Sequence, residues 1–312
     1  MTAGTHRAGP REVARLLGVP IPIVQAPMTY IAGARLAAAV SEAGGLGIIE
    51  TASPQGRADL AVVRDLTDKP VGANVALAMR KDPGIVDVLA AHGIGFVTTS
   101  SGDPGLLTPR LRDAGITVFH VVGTLQNARK AVDAGVDGLV VEGVEGGGFK
   151  NPLGSSTMVL LPLVATHVDL PLIAAGGICD GRSMAAALTL GAGGVQMGTR
   201  MLASVESPVH RNFKAAVVGA DDTGTILLSL PGSPTMRVVR TAAAIEAATA
   251  GRTGSGLEAA RTLYFEGDMD AALANTGQVA GRIDAVESVA AIVADTWNGC
   301  RAVLDETRSL LD

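Results

Sequence analysis

Two glycine-bearing segments stand one strand apart near the middle of the chain: Ala174-Ala175-Gly176-Gly177-Ile178 and Val195-Gln196-Met197-Gly198-Thr199-Arg200. Each follows an apolar run of the kind that forms a buried parallel strand. Each ends in glycine, where backbone N–H groups can meet an anion without a side chain in the way. Paired on neighbouring strands before a helix start, such loops make the phosphate site of a (β/α)8 barrel. The chemistry expected first is therefore that of a phosphorylated cofactor. Other residues able to bind or react fall at the ends of other predicted strands. These are Gln25-Ala26-Pro27-Met28, Asn74, Thr98-Thr99-Ser100-Ser101, His120, and the run from Glu142 through Glu145, Gly147, Gly148 and Phe149 to Lys150.

These residues differ in how firmly position argues for a site. Glu142 and Asn74 end predicted strands, where barrel sites lie. Glu145 reads equally well as a solvated carboxylate. His120 points either into the barrel mouth or into the layer between strands and helices, because neighbours on a strand alternate faces. Lys150 suits an anionic substrate or a phosphate tail, and equally a solvated face. His92 precedes a helix-ending glycine and reads as structural; His6, His167 and His210 read as surface residues. Ser183, in Gly181-Arg182-Ser183-Met184-Ala185, lacks the second glycine of a nucleophile elbow and reads as a helix start, against a hydrolase. Cys179 lies near a helix start that can lower a thiol pKa, yet a small structural residue is the simpler reading. It and Cys300 are far apart and in no metal spacing, which fits a reduced, cytoplasmic protein.

The elements that must position these groups are short and alternate. Strands are predicted near residues 23–26, 46–49, 70–75, 94–98, 117–122, 138–141, 172–175 and 194–197. Ala-rich helical stretches lie between them, near 34–43, 83–92, 106–114, 125–134 and 182–190. Several end in glycine, as in Ala43-Gly44, Ala114-Gly115 and Leu190-Gly191, the expected C-terminal stop. Eight such units predict a TIM (β/α)8 barrel. A doubly wound sheet would carry G-x-G-x-x-G after its first strand, but Pro27-Met28-Thr29-Tyr30 stands there, and no P-loop pattern exists. Past about residue 230 the pattern changes. Pro231 and Pro234 break the chain, and helices are predicted near 242–250, 256–264, 269–275 and 285–294. The expected division is a barrel over residues 1–229 and a small C-terminal helical appendage over 230–312.

Composition bounds the rest. Of 312 residues 47% are hydrophobic and only 18% charged, so a large core is available; aromatics are 3%, so Ala, Val, Leu and Ile must build it. A net charge of −5 with no basic block argues against nucleic acid and anionic membrane surfaces. Residues 1–10 show no apolar core of a signal peptide, and no apolar run reaches a membrane span.

Several segments, in order, carry a resemblance: Gln25-Ala26-Pro27-Met28, Ala43-Gly44-Gly45-Leu46-Gly47, Gly72-Ala73-Asn74, Glu142 to Gly148, Ala174 to Ile178 and Gln196 to Thr199. Together they resemble the nitronate monooxygenases, formerly called 2-nitropropane dioxygenases, and the related FMN-dependent enoyl-acyl carrier protein reductases. The resemblance spans residues 21–228, with an echo at Gly277-Gln278-Val279-Ala280-Gly281. It implies FMN across the barrel mouth. Gly176, Gly177, Gly198 and Thr199 would then hold the phosphate, with Gln196 and Met197 in the same segment. Ala26, Pro27 and Met28 would line the ring edge, and Asn74 would hydrogen-bond its polar side. Glu142, Gly147 and Gly148 would approach the ring or the ribityl chain. The residue types agree, since an amide and a carboxylate match ring and ribityl groups and small residues admit a flat ring.

One departure bears on mechanism. Many members carry histidine directly after the paired glycines of the strand-six loop, and here that position is Phe149. Phenylalanine cannot move a proton, though it can shield a ring or stack on an apolar substrate. Oxidation of an already anionic nitronate needs no base, and nitronate-monooxygenase-like oxidation by oxygen is the activity that the resemblance implies first. The catalytic candidates are Phe149, Lys150 and His120. The alternative is an NAD(P)H-dependent reduction of an activated alkene, such as an enoyl-CoA or enoyl-acyl carrier protein thioester in steroid or acyl-CoA catabolism. A non-catalytic flavin binder is a third reading. The expected partner is a small-molecule substrate, with self-association into a homo-oligomer open.

Overall fold

The computed structural model describes residues 8–79, 82, 84–230, 232–251 and 257–312. The readings at residues 1–7 (His6 included), at Pro83 and Gly256 as helix starts and at Pro231 as a breaker lie outside the described residues.

Eleven strands occur among the described residues: β1 (Ile23–Gln25), β2 (Gly47–Glu50), β3 (Val71–Ala76), β4 (Phe96–Ser100), β5 (Thr117–Val122), β6 (Gly138–Glu142), β7 (Gly148–Phe149), β8 (Leu172–Ala175), β9 (Gly194–Met197), β10 (Thr225–Leu228) and β11 (Met236–Val239). Eight of them form one parallel sheet in the order β1-β9-β8-β6-β5-β4-β3-β2. A parallel bridge between Val24 and Leu46 closes β1 onto β2, so the sheet is the expected barrel with helices between its strands.

Period-two alternation divides each strand's side chains between two cores. Val24, Ile48, Phe96, Phe119, Val140 and Ile173 fill the barrel interior, and Val13 and Leu17 of helix Pro10–Leu17 pack with them. Ile23, Ile49, Ala73, Val97, Val118, Val141 and Val195 face outward into the helix layer. Two phenylalanines, Phe96 and Phe119, do much of the interior filling, with ring centroids 5.2 Å apart. Gly138 makes room for them: a Cβ there would lie 2.2 Å from Phe119 Cζ. The helix-ending glycines read from sequence adopt left-handed backbone, with φ of 90° at Gly44, 76° at Gly115 and 110° at Gly191.

The C-terminal part holds strands that sequence pattern did not signal. β10, β11 and β7 form a three-stranded antiparallel sheet, with Met236 opposite Phe149 and Arg237 opposite Gly148. The 229/230 division falls in the connection between β10 and β11, whose pairing runs across it. Helix Ala242–Ala250 forms as expected, and helix Val289–Leu311 runs 23 residues, well past the predicted end. It crosses helix Gly181–Thr189 so closely that a Cβ on Gly181 would lie 2.4 Å from Cys300 N. The helix predicted over 269–275 is absent. Gly267 turns left-handed at φ 81°, and the Asp268 carboxylate then accepts the Asp270 N–H in a turn. Ala274 O accepts the Val239 N–H, so tertiary pairing takes that backbone.

Candidate active site

A cavity of about 440 Å³ opens at the C-terminal ends of the strands, where barrel sites are built. Its glycine wall comes from the segments that follow β8 and β9. Gly176 and Gly177 both take left-handed backbone, at φ 83° and 81°. A Cβ on Gly176 would lie 2.9 Å from Gly143 O and 3.0 Å from Gly146 N, so only glycine lets the β6 and β8 loops touch. Thr157 braces the contact: its hydroxyl lies 2.8 Å from Gly176 O, and its N–H donates to the Glu145 carboxylate at 2.9 Å. Glu145 is thus a structural acceptor at the start of helix Thr157–His167.

On β9 the alternation sends Met197 outward into the core, fully buried, and Gln196 inward to the cavity. Gln196 is only 5% exposed, and its Oε1 has no hydrogen-bond partner. Such an orphan is costly unless a ligand supplies a donor. Gly198 caps the short helix Thr199–Leu202 without a side-chain bond, leaving first-turn N–H groups unsatisfied at the cavity. The Thr199 hydroxyl accepts the Gly277 N–H at 2.8 Å, which leaves its own hydrogen to donate.

The loop after β6 forms a second wall. Lys150 Nζ lies 2.6 Å from Glu142 Oε1, and the lysine side chain is only 3% exposed. Lys150 is therefore neutralised by Glu142 and is not a free cation facing an anionic substrate, which corrects that expectation. Phe149 lines the cavity and is 55% exposed. The loop is held from outside by the appendage: Lys150 N–H donates to Thr235 O, and Arg237 Nε donates to Val144 O, both at 2.8 Å. A third wall, from the appendage itself, brings Tyr264, Asn275, Gly277 and Val279. Ala26, Pro27 and Met28 complete the lining from the β1 loop. That loop is tied down by the buried Glu50 carboxylate, which accepts the N–H groups of Tyr30, Ala52 and Ser53.

Thus Ala26, Pro27, Met28, Glu142, Gly147, Gly148, Phe149, Lys150, Gly176, Gly177, Gln196, Gly198 and Thr199 all meet at one cavity. Three candidates do not. His120 faces the strand–helix layer beside Val118 and Val122, with Nδ1 2.8 Å from Thr99 Oγ1, because period-two alternation puts Phe119 and Val121 on the inner face. Burial lowers the His120 pKa to about 4, so the ring is a neutral core group and not a catalytic one. Met197 is the outward neighbour of Gln196 and packs in the core. Asn74 does face inward, but it sits one pleat below Ser100, and its Nδ2 donates to Thr98 O at 3.1 Å and Thr98 Oγ1 at 2.9 Å.

Two further residues stay outside the chemistry. Ser183 completes a capping box with Asp180, as a helix start should. Burial pushes the Cys179 thiol up to about 11, which leaves it unreactive. Sequence reading missed Tyr264, Asn275 and the Arg237 brace; the only signal near them was the echo at 277–281. No group of three metal-ligating side chains occurs among the described residues.

Comparison with known proteins gives a consistent set of similarities. The nitronate monooxygenase family model matches residues 11–85 and 78–298. A hydroxy-methyl-oxo-octahydro-indene-carboxyl-CoA dehydrogenase of Rhodococcus jostii is 38% identical over 224 residues, covering 70% of this chain and 63% of its own length. The chain thus spans a little under two thirds of that relative. A nitronate monooxygenase of Pseudomonas aeruginosa is 34% identical over 262 residues, covering 68% of this chain and 75% of its own. Among solved structures, FabK from Thermotoga maritima superposes with a TM-score of 0.87 at 35% identity, covering 96% of this chain and 98% of that one.

Proposed function

The chain belongs to the nitronate monooxygenase family, and from that premise we propose that it is an FMN-dependent oxidoreductase that oxidises nitronates with oxygen. The observation that carries this reading is the cavity itself: paired left-handed glycines, an uncapped helix start and a buried, partnerless amide oxygen meet at one barrel mouth. These residues fit FMN. N–H groups at Gly177 and in the first turn after Gly198 suit its phosphate, with the Thr199 hydroxyl as a further donor. Gln196 Oε1 suits a ring or ribityl donor. Ala26, Pro27 and Gly147 leave room for a flat ring. When bound, FMN supplies the electron transfer that no side chain here provides.

The chain's own residues then bind, orient and shield. Phe149 covers the mouth with an apolar ring and takes no proton. The Glu142–Lys150 pair is net neutral, so it holds the loop without drawing in a proton donor. A nitronate, already anionic, asks for no base. We place the protein in the cytoplasm, where two free buried cysteines, Cys179 and Cys300, would stay reduced. No helix among the described residues is long and apolar enough to cross a membrane.

A second reading is favoured by one observation: an exposed apolar Phe149 stands where a base would serve nitroalkane chemistry, and the Rhodococcus relative acts, by its name, on a CoA thioester. On that reading NAD(P)H reduces the flavin, and hydride passes on to the double bond of an activated alkene such as an enoyl thioester. Anaerobic mixing decides. Bleaching of the bound flavin by propyl-1-nitronate but not by NADH or NADPH supports the first reading. The opposite pattern, with colour restored by an enoyl-CoA, replaces it with the second. Failure of every donor leaves a flavin binder without turnover.

A further inference from the structure

The barrel supplies the glycine wall, and the appendage supplies a wall of its own, in which Gly277 serves the cofactor side by donating to Thr199 Oγ1. Tyr264 and Asn275 both line the cavity. Tyr264 is 5% exposed, and its ring stacks on Phe213 with centroids 5.6 Å apart and planes 6° from parallel. Its carbonyl accepts the His210 N–H at 2.6 Å, so backbone and ring are both held. It sits on a π-helical turn, Thr262–Glu266, a geometry that recurs at functional sites. Asn275 lies beside the phenol, where it favours the ionised form against the effect of burial, and packs over the glycine loop: a Cβ on Gly148 would lie 3.8 Å from Asn275 Cγ, next to the exposed Phe149. Asn275 Oδ1 is fully buried and has no donor.

We propose that Tyr264 and Asn275 are the substrate-reading pair of this site: Tyr264 donates to an sp2 oxygen of the substrate, and Asn275 positions the phenol. The inference rests on the oxidoreductase reading above and extends it to the substrate's chemical class. That class is a planar group with full or partial negative charge on oxygen, a nitronate or a thioester carbonyl alike. Two features select it. Burial pushes the Tyr264 hydroxyl up to about 12, so it remains a donor at neutral pH. The cations beside this wall are occupied: Lys150 by Glu142, and Arg237 by Val144 O and Thr225 Oγ1. A phosphate would therefore find no countercharge here, whereas a single delocalised oxygen is matched by neutral donors.

The test uses the FMN-loaded full chain, Tyr264→Phe and Asn275→Leu. Phe keeps the ring stack on Phe213, so the variant should fold, as far-UV circular dichroism will show. Bound flavin per chain should be unchanged. Propionate, a carboxylate with the planar shape of a nitronate, is titrated while flavin absorption is followed. Its Kd should rise about ten- to a hundredfold in Tyr264→Phe, the loss of one hydrogen bond to a charged group. Asn275→Leu should give a smaller rise. KM for propyl-1-nitronate should rise in parallel with kcat less affected. Loss of flavin from Tyr264→Phe assigns the phenol to the cofactor and overturns the proposal. An unchanged propionate Kd, or no propionate response in the wild type, also overturns it. If wild-type flavin is not reduced by nitronate, the nitronate reading fails while the propionate titration still decides the pair.

Discussion

At Gly176 the backbone takes φ 83° and has no room for a methyl group, whereas Gly198 has φ −102° and a Cβ there would make only ordinary contacts, 3.4 Å to Ala26 Cβ and 3.9 Å to Met28 Sδ. The two glycines should therefore fail differently. Gly176→Ala should destabilise the fold and lose flavin together. Gly198→Val should melt within a few degrees of wild type yet bind FMN about ten- to a hundredfold more weakly, as measured by fluorescence titration of apoprotein. Normal flavin affinity in Gly198→Val would remove the β9 loop from the phosphate site. Phe149 gives a second residue-level expectation. A positioned base typically contributes about 10²–10⁴-fold, so neutral nitroalkanes should be poor substrates beside their nitronates. Phe149→His should raise activity on the neutral form and leave the nitronate rate within a few fold. His120 gives a third. Its pKa falls from 6.5 to about 4 through burial, so between those values the unfolded chain binds a proton that the folded chain does not. Stability should be full above pH 6.5 and decline as pH falls toward 4, by up to about 3 kcal/mol. Urea melts across that window should flatten in His120→Gln; an equal slope in both proteins would remove His120 as the cause.

At the scale of elements, the decisive unit is the antiparallel β10–β11–β7 sheet. Two residues of the site loop serve as its third strand, so the appendage sets where Phe149 and Lys150 stand. Arg237 is the rivet: it is buried, donates to Val144 O at 2.8 Å and lies 3.2 Å from Thr225 Oγ1. Arg237→Met keeps much of the side-chain volume and removes those bonds. Faster hydrogen exchange is expected over residues 144–150, with barrel strands such as β5 unchanged. Uniform exchange across both regions would show that the loop holds itself. The eight barrel strands and the helix-ending glycines were legible because each rests on local chemistry, apolar runs and left-handed backbone. β7 and β11 were not. A two-residue strand such as Gly148–Phe149 has no periodicity to read, and its pairing partner at Met236–Arg237 lies far along the chain. The helix expected over 269–275 failed for the related reason that tertiary pairing claimed its backbone.

For the molecule as a whole, the cavity draws on both ends of the chain: Ala26 and Met28 from the first strand's loop, Tyr264 and Val279 from the appendage. A ligand seated there touches parts that separate on unfolding, so binding and folding should be linked. FMN at a hundredfold over its Kd should add about 2.7 kcal/mol, raising the apoprotein's Tm in a concentration-dependent way. A Tm that responds equally to riboflavin would deny the phosphate its role. The sequence by itself determined the barrel, its eight strands and the family resemblance, along with the glycine wall at Gly176, Gly177, Gly198 and Thr199. The barrel and the glycine wall follow from composition, alternation and glycine placement within a few residues; the resemblance rests on the order of its motifs along the chain. Only the tertiary structure decided that His120 faces the helix layer and that Asn74 lies below the cavity, because strand alternation admits two phases until the neighbours are in place. It also decided that Glu142 neutralises Lys150 and that Tyr264 and Asn275 reach the mouth. Those contacts join residues whose meeting depends on how loops and appendage pack, and no local pattern encodes it.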